Sequence, residues 1–151
     1  MWAATMSLNG LTSVGNQNGW TVHPIEHELS AYYDITHGVG LGIMTPRWMK
    51  HALSDETLPR FAQFGRQVWG LTGTDKEVAQ LAIQETFNWI KSLEVPTTLP
   101  EVGIIDDTYF QNMAESAVMV GYLNHEAYVT LQAADVVHLF EEAMTDHDFS
   151  K

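Results

Sequence analysis

Trp20-Thr21-Val22-His23-Pro24-Ile25-Glu26-His27-Glu28-Leu29-Ser30-Ala31-Tyr32-Tyr33-Asp34-Ile35-Thr36-His37-Gly38 is the stretch on which the reading of this chain turns. Residues 23–33 fit a helix, with Pro24 suited to a first turn, where a missing N–H leaves no helical hydrogen bond unmade. Three of the seven histidines fall between His23 and His37. His23 and His27 lie four apart and so share one helical face. Two imidazoles so spaced can approach a common ligand. His37 follows beyond the end of that helix, beside Gly38, where the chain can fold back towards the same face. Neutral imidazole suits zinc, iron and nickel. Read without a ligand, the same histidines are capping or surface residues, and spacing alone leaves both readings open.

Outward from this stretch the helical period continues almost everywhere. Residues 2–11 read as a helix, ended by Gly10 and the turn cluster Gly15-Asn16-Gln17-Asn18-Gly19. Residues 39–49 look like a buried helix bent at Pro46. Residues 58–71 place Phe61, Phe64, Val68 and Trp69 near one face. Thr74-Asp75-Lys76-Glu77 is a capping box, opening a helix to about Leu93 with Val78, Leu81, Ile83, Phe87 and Ile90 inward. Pro96-Thr97-Thr98-Leu99-Pro100 is a loop, and Ile105-Asp106-Asp107 introduces a helix to about Val120. Residues 131–144 are amphipathic through Val136, Val137, Phe140 and Met144. Strand alternation, internal repeats and low-complexity tracts are all missing from the pattern. The expected fold is therefore an all-α, multi-helix single domain over residues 1–151. Trp69, Phe87, Trp89 and Phe140, at helical spacing, are expected in its core.

Composition narrows the function. The 151 residues are 45% apolar and 17% charged, and they contain no cysteine. Disulfides, thiolate zinc sites, iron–sulfur clusters and cysteine nucleophiles are excluded in this chain. Seven Lys and Arg against nineteen Asp and Glu give a formal charge of -12, which repels phosphate backbones and anionic lipid heads. Nucleic acid and membrane are thus poor partners. No apolar run approaches the roughly 20 residues that span a bilayer, and the N-terminus lacks the basic region of a signal peptide. A cytoplasmic protein is expected.

Two catalytic readings compete for the histidines. His23-Pro24-Ile25-Glu26-His27 matches H-x-x-E-H, in which two helical histidines hold zinc and the glutamate is the general base of a metallopeptidase. The second reading rests on a wider pattern. Met1-Trp2-Ala3-Ala4-Thr5, Asn9-Gly10-Leu11, Trp20-Thr21-Val22-His23, His27-Glu28-Leu29-Ser30-Ala31 and Thr36-His37-Gly38-Val39-Gly40-Leu41 come first. Ile43-Met44-Thr45-Pro46-Arg47-Trp48-Met49, Pro59-Arg60-Phe61-Ala62 and Leu93-Glu94-Val95-Pro96-Thr97-Thr98-Leu99 extend it. Together these resemble the iron-containing alcohol dehydrogenase family, in its butanol-dehydrogenase-like branch, over nearly the whole chain.

That resemblance implies the C-terminal helical, metal-binding domain of an enzyme whose N-terminal α/β domain binds NAD or NADP. His23 and His37 match two of the family's metal ligands, for Fe or Zn. His27 matches a position beside metal and nicotinamide, with a role in proton handling or substrate orientation. The family's other two ligands, an aspartate and a histidine four residues after it, have no counterpart in residues 1–22. The nucleotide-binding domain and the first part of the helical domain are therefore expected to be absent, and the isolated chain inactive. The activity implied for the complete enzyme is reversible hydride transfer between a small alcohol or aldehyde and nicotinamide, in a homo-oligomer. The glycines of Gly38-Val39-Gly40-Leu41-Gly42 follow no strand and are expected to serve close packing, not nucleotide phosphates. Glu26, Glu28 and Asp34 are candidate acceptors for imidazole N–H groups, although an exposed helical surface is their more ordinary setting. Trp20 is placed either at a pocket mouth or in the core. Gly121 to Val129 forms a longer link before the last helix than the family's usual one. His51, His125, His138 and His147 are isolated and receive no role. A function from a different class also fits: a non-catalytic helical module whose spare apolar surface pairs with a partner or a second copy.

Overall fold

The computed structural model describes residues 1–11, 14, 19–146 and 149. Much of the expected turn at residues 15–19, and His147, lie outside them. The described residues form seven α-helices and no strand, as the periodicity implies. They are α1 (Trp2–Leu8), α2 (Val22–Tyr33), α3 (His37–Ala52), α4 (Leu58–Val68), α5 (Asp75–Ser92), α6 (Phe110–Gly121) and α7 (Ala133–Glu142), with a 3-10 turn at Pro100–Val102.

The boundaries follow local chemistry. Thr74 caps α5 by accepting the Glu77 amide N–H, while the Glu77 carboxylate accepts the Thr74 N–H at 2.9 Å, completing the expected box. The Thr74 hydroxyl also donates to that carboxylate at 2.7 Å, and this bond first, then the one from the Thr74 N–H, holds the Glu77 carboxyl below its usual pKa. α2 and α6 both stop on a left-handed residue, Asp34 and Tyr122. α1 ends at Leu8, short of the expected Leu11, with Gly10 in the left-handed region. α3 runs from His37 through Pro46 to Ala52, longer at both ends than residues 39–49. α6 begins at Phe110 because Asp106 accepts the Thr108 N–H in a turn of its own, leaving Ile105 exposed.

Two apolar clusters hold the bundle. In one, α2 (Ile25, Leu29), α3 (Ile43, Met44), α6 (Phe110, Met113) and α7 (Val136, Phe140) meet, each side chain contributing about 1.5–3 kcal/mol by burial. In the other, Met49 of α3 and Phe61 of α4 pack on Ala79, Ile83 and Phe87 of α5. Gly65 brings α4 close to α5, since a Cβ there would lie 2.7 Å from Val78 Cγ1.

Several side chains depart from expectation. Trp89 is 53% exposed, Leu81 and Val68 are exposed, and Trp69 is only half-buried. On α5 the buried positions are 78, 79, 82, 83, 86, 87 and 90. That stripe follows Phe87, and Trp89, about 200° further round the helix, must point away from it. α1 buries no residue. Arg47 is wholly buried, its guanidinium donating to the carbonyls of Ile43, Thr97 and Thr145 at 2.6, 3.1 and 3.0 Å. Burial pulls its pKa down to about 10, so it stays charged at neutral pH while tying α3 to two distant loops. Among the described residues no helix is long and apolar enough to cross a membrane.

Candidate metal centre

Antiparallel packing is not needed to bring the three histidines together; the tight link between α2 and α3 does it. Asp34 ends α2 in the left-handed region, Thr36 is extended, and His37 is the first residue of α3. The ring centroids of His23 and His37 are 5.3 Å apart, those of His27 and His37 5.0 Å, and those of His23 and His27 6.0 Å. All three imidazoles singled out in the sequence therefore share one small volume. Donor atoms of Glu26, His27 and His37 lie within 4.8 Å of one another.

Each ring has a different setting. His23 is partly covered, with Trp20 edge-on to it at 4.6 Å. Burial lowers its pKa from 6.5, the neighbouring His37 and His27 lower it further, and Glu26 opposes them. A neutral imidazole, the form a metal needs, is thus favoured at neutral pH. His27 and His37 are exposed on their outer sides. His37 Nδ1 is hydrogen-bonded to the Glu26 carboxylate.

Glu26 is the one of the three candidate acceptors that meets an imidazole, and its setting departs from the exposed helical surface that is more ordinary for a glutamate: it is wholly buried. Ser30, one turn along α2, donates to Glu26 Oε1 at 2.5 Å. Gly40 makes room across the helix pair: a Cβ there would lie 2.5 Å from the same oxygen. A buried carboxylate with both oxygens engaged is badly placed to activate a water, which removes the geometric basis of the H-x-x-E-H hydrolase. Glu28 instead accepts from Ser116 of α6 at 2.7 Å, and Asp34 is exposed, so neither meets an imidazole. The glycines divide likewise. Gly40 and Gly42 abut Glu26 and Ile90, as close packing requires, whereas Gly38 faces open space.

A cavity of about 440 Å³ adjoins His23, walled by Trp20, Thr21, Leu41, Thr45 and Trp48. Trp20, 41% exposed, therefore stands at a cavity rim and not in the core. The Thr21 hydroxyl and Trp48 Nε1 are buried with no hydrogen-bond partner among the described residues. The long link before α7 packs beside this rim, Gly19 lying so close to Glu126 and Ala127 that a Cβ would meet their backbone at 2.5–2.6 Å.

Residues 1–144 match the model of the Fe-containing alcohol dehydrogenase family, C-terminal. This chain belongs to that family. It is 43% identical over 145 residues to NADH-dependent butanol dehydrogenase A of Clostridium acetobutylicum, and 39% identical over 150 residues to the same organism's butanol dehydrogenase B. Each match covers 95% of this chain and 37% of the relative. The structure of NADH-dependent butanol dehydrogenase A from Thermotoga maritima superposes with a TM-score of 0.81 at 30% identity, over 95% of this chain and 38% of that one. The Escherichia coli aldehyde reductase YqhD gives 0.79 at 29% identity, over 95% and 37%. The family member described here thus spans little more than a third of the length of these relatives. Its helices are those of their C-terminal region.

An imidazole donor set, one ring made neutral by burial and another hydrogen-bonded through its second nitrogen to a carboxylate, fits a divalent first-row metal such as the family's iron.

Proposed function

We propose that this chain is the metal-binding helical part of a metal- and NAD(P)-dependent alcohol dehydrogenase or aldehyde reductase of the butanol dehydrogenase type. One observation carries the proposal: His23, His27 and His37, drawn from two helices, converge within 6.0 Å in a chain matching the family over residues 1–144. His23 and His37 are the ligands this chain contributes to a divalent metal, Fe or Zn. The bound metal supplies Lewis acidity towards an alcohol or aldehyde oxygen. His27, exposed and 5.0 Å from the His37 ring, handles the proton that the alcohol oxygen loses or gains, as an imidazole does near neutral pH. Trp20 and Trp48 wall the adjoining cavity, to which Thr21, His23 and Thr45 add polar groups.

The same reading takes in a seat for the rest of such an enzyme. An apolar trough runs along α3 and α5, through Leu41, Thr45, Trp89, Ile90 and Leu93, and joins the His23 cavity at Leu41 and Thr45. Trp89 and Leu93 are each 53% exposed there. A surface helix with apolar residues on both faces is ordinarily covered on both. Because the chain spans 37% of its relatives' length, the trough is the seat of the remaining dehydrogenase polypeptide, and the docking surface expected of an interaction module is here part of the enzyme. Self-association belongs to that complete enzyme.

The test is reconstitution. The chain alone should reduce no NAD(P) with any alcohol, since two imidazoles hold Fe or Zn poorly against water. Mixed or co-expressed with the complementary part of a butanol dehydrogenase relative, it should restore aldehyde-dependent NAD(P)H oxidation, abolished by His23→Ala or His37→Ala. Turnover by the chain alone, or reconstituted turnover indifferent to both substitutions, would refute the assignment.

A further inference from the structure

We infer that Glu26 is a positioning residue for the metal centre, holding His37 by Nδ1 so that Nε2 is the nitrogen turned to the cation. The inference rests on His37 being a ligand, as proposed above. It goes further by assigning a role to a residue that lies between the ligands in sequence and is hidden from solvent.

Four observations carry it. The Glu26 side chain is wholly buried, and a buried carboxylate must have its oxygens satisfied or lose its charge. No lysine or arginine among the described residues pairs with it; its ion-pair partner is His37. Its other oxygen receives the Ser30 hydroxyl, which fixes the carboxylate's rotation from one turn along the same helix. Finally, α3 leaves the necessary space only through the glycine at position 40. Ser30, Gly40 and His37 therefore form a seat built for this one carboxylate.

The consequence for His37 follows from imidazole chemistry. A neutral ring carries one proton, and a hydrogen bond to an acceptor-only carboxylate requires it on Nδ1. Nε2 then keeps its lone pair and becomes the ligating nitrogen. A carboxylate behind the ring also increases the basicity of the nitrogen that binds metal. In this arrangement Glu26 acts from behind the ring, its Oε2 facing His37 Nδ1 and its Oε1 the Ser30 hydroxyl.

The test reads the tautomer directly. In the full chain, labelled with 15N, free of metal and held above the imidazole titration range, His37 should show the Nδ1–H tautomer. Glu26→Leu should release it to a mixture containing Nε2–H. The same substitution should lower Co2+ affinity, followed by visible absorption, by roughly 10–100-fold. Glu26→Gln, which retains an amide oxygen, should recover most of that loss. A wild-type His37 in the Nε2–H form overturns the inference without any variant. So does a folded Glu26→Leu protein with unchanged tautomer and unchanged Co2+ affinity. If Glu26→Leu does not fold, Ser30→Ala decides: it should loosen the seat and cost a few-fold in Co2+ affinity, and no change refutes the role. His37 held as Nδ1–H in a chain whose Co2+ binding ignores His37→Ala would sink the ligand reading instead, and the metal role of Glu26 with it.

Discussion

Two glycines two residues apart in α3 should respond to alanine in opposite directions. At Gly38 a Cβ would meet nothing within 4 Å, and φ is not in the left-handed region. Gly38→Ala should therefore stabilise the fold by about 0.4–1 kcal/mol, mainly by restricting the unfolded chain. At Gly40 the same methyl would stand 2.5 Å from Glu26 Oε1, 2.6 Å from Cγ and 2.9 Å from Cδ. Alanine's helix preference offers about 1 kcal/mol. Overpacking takes back about 1–3 kcal/mol, and displacing a carboxylate from its hydrogen bonds costs about 1.5–3 kcal/mol more. The expected net loss for Gly40→Ala is about 1.5–5 kcal/mol, or roughly 3–20 °C in Tm for a domain of this size. Urea unfolding followed by helical circular dichroism measures both variants, with m unchanged if only stability moves. A double-mutant cycle isolates the cause. In a Glu26→Ala background the clash has no partner, so the cost of Gly40→Ala should largely vanish. Equal stabilities for the two glycine variants, or an additive cycle, would refute the seat that α3 leaves for Glu26.

Arg47→Met should cost about 2–4 kcal/mol in the same urea assay, because the carbonyls of Thr97 and Thr145 lose a buried charged donor; wild-type stability would show that those bonds only offset the cost of burying the guanidinium. Acid should weaken the metal-free fold through His23. Its folded pKa lies below 6.5, so the unfolded state binds more protons in that interval, and its stabilising contribution is complete above 6.5 and lost as the pH falls through the folded value. Tm measured across that interval should fall with pH, less steeply in His23→Gln, and an unchanged slope in the variant would assign the acid sensitivity elsewhere.

Much of this arrangement is legible in the sequence, for identifiable reasons. The α5 cap is local, a Thr and a Glu three apart, and it needs no tertiary context. The imidazole cluster is nearly local, because His23 and His27 share a helical face and His37 opens the very next helix. Trp89 escapes such reading because its apolar character argues for burial while its angular position, two residues from buried Phe87, argues against it. Resolving that conflict requires knowing which face of α5 the bundle uses. Glu26 escapes for the converse reason. A glutamate on an amphipathic helix is ordinarily solvated, and the groups that reverse this, His37 and Gly40, belong to another helix. Gly40 is legible as a packing glycine, but its packing partner is the carboxyl side chain of Glu26 on the facing helix.

The imidazole cluster and the exposed apolar trough meet at one place. Leu41 and Thr45 of α3 line both the trough and the cavity beside His23, and α3 itself begins with His37. Anything that packs along α3 to cover Trp89 and Leu93 therefore comes near the imidazoles. Burial there would lower the local dielectric, raising the cost of any charge left unpaired and the value of each donor pointed at the cation. The buried Glu26 carboxylate already holds the His37 ring by Nδ1 within this chain, at the end of α3 where Thr36 and Gly38 line the trough.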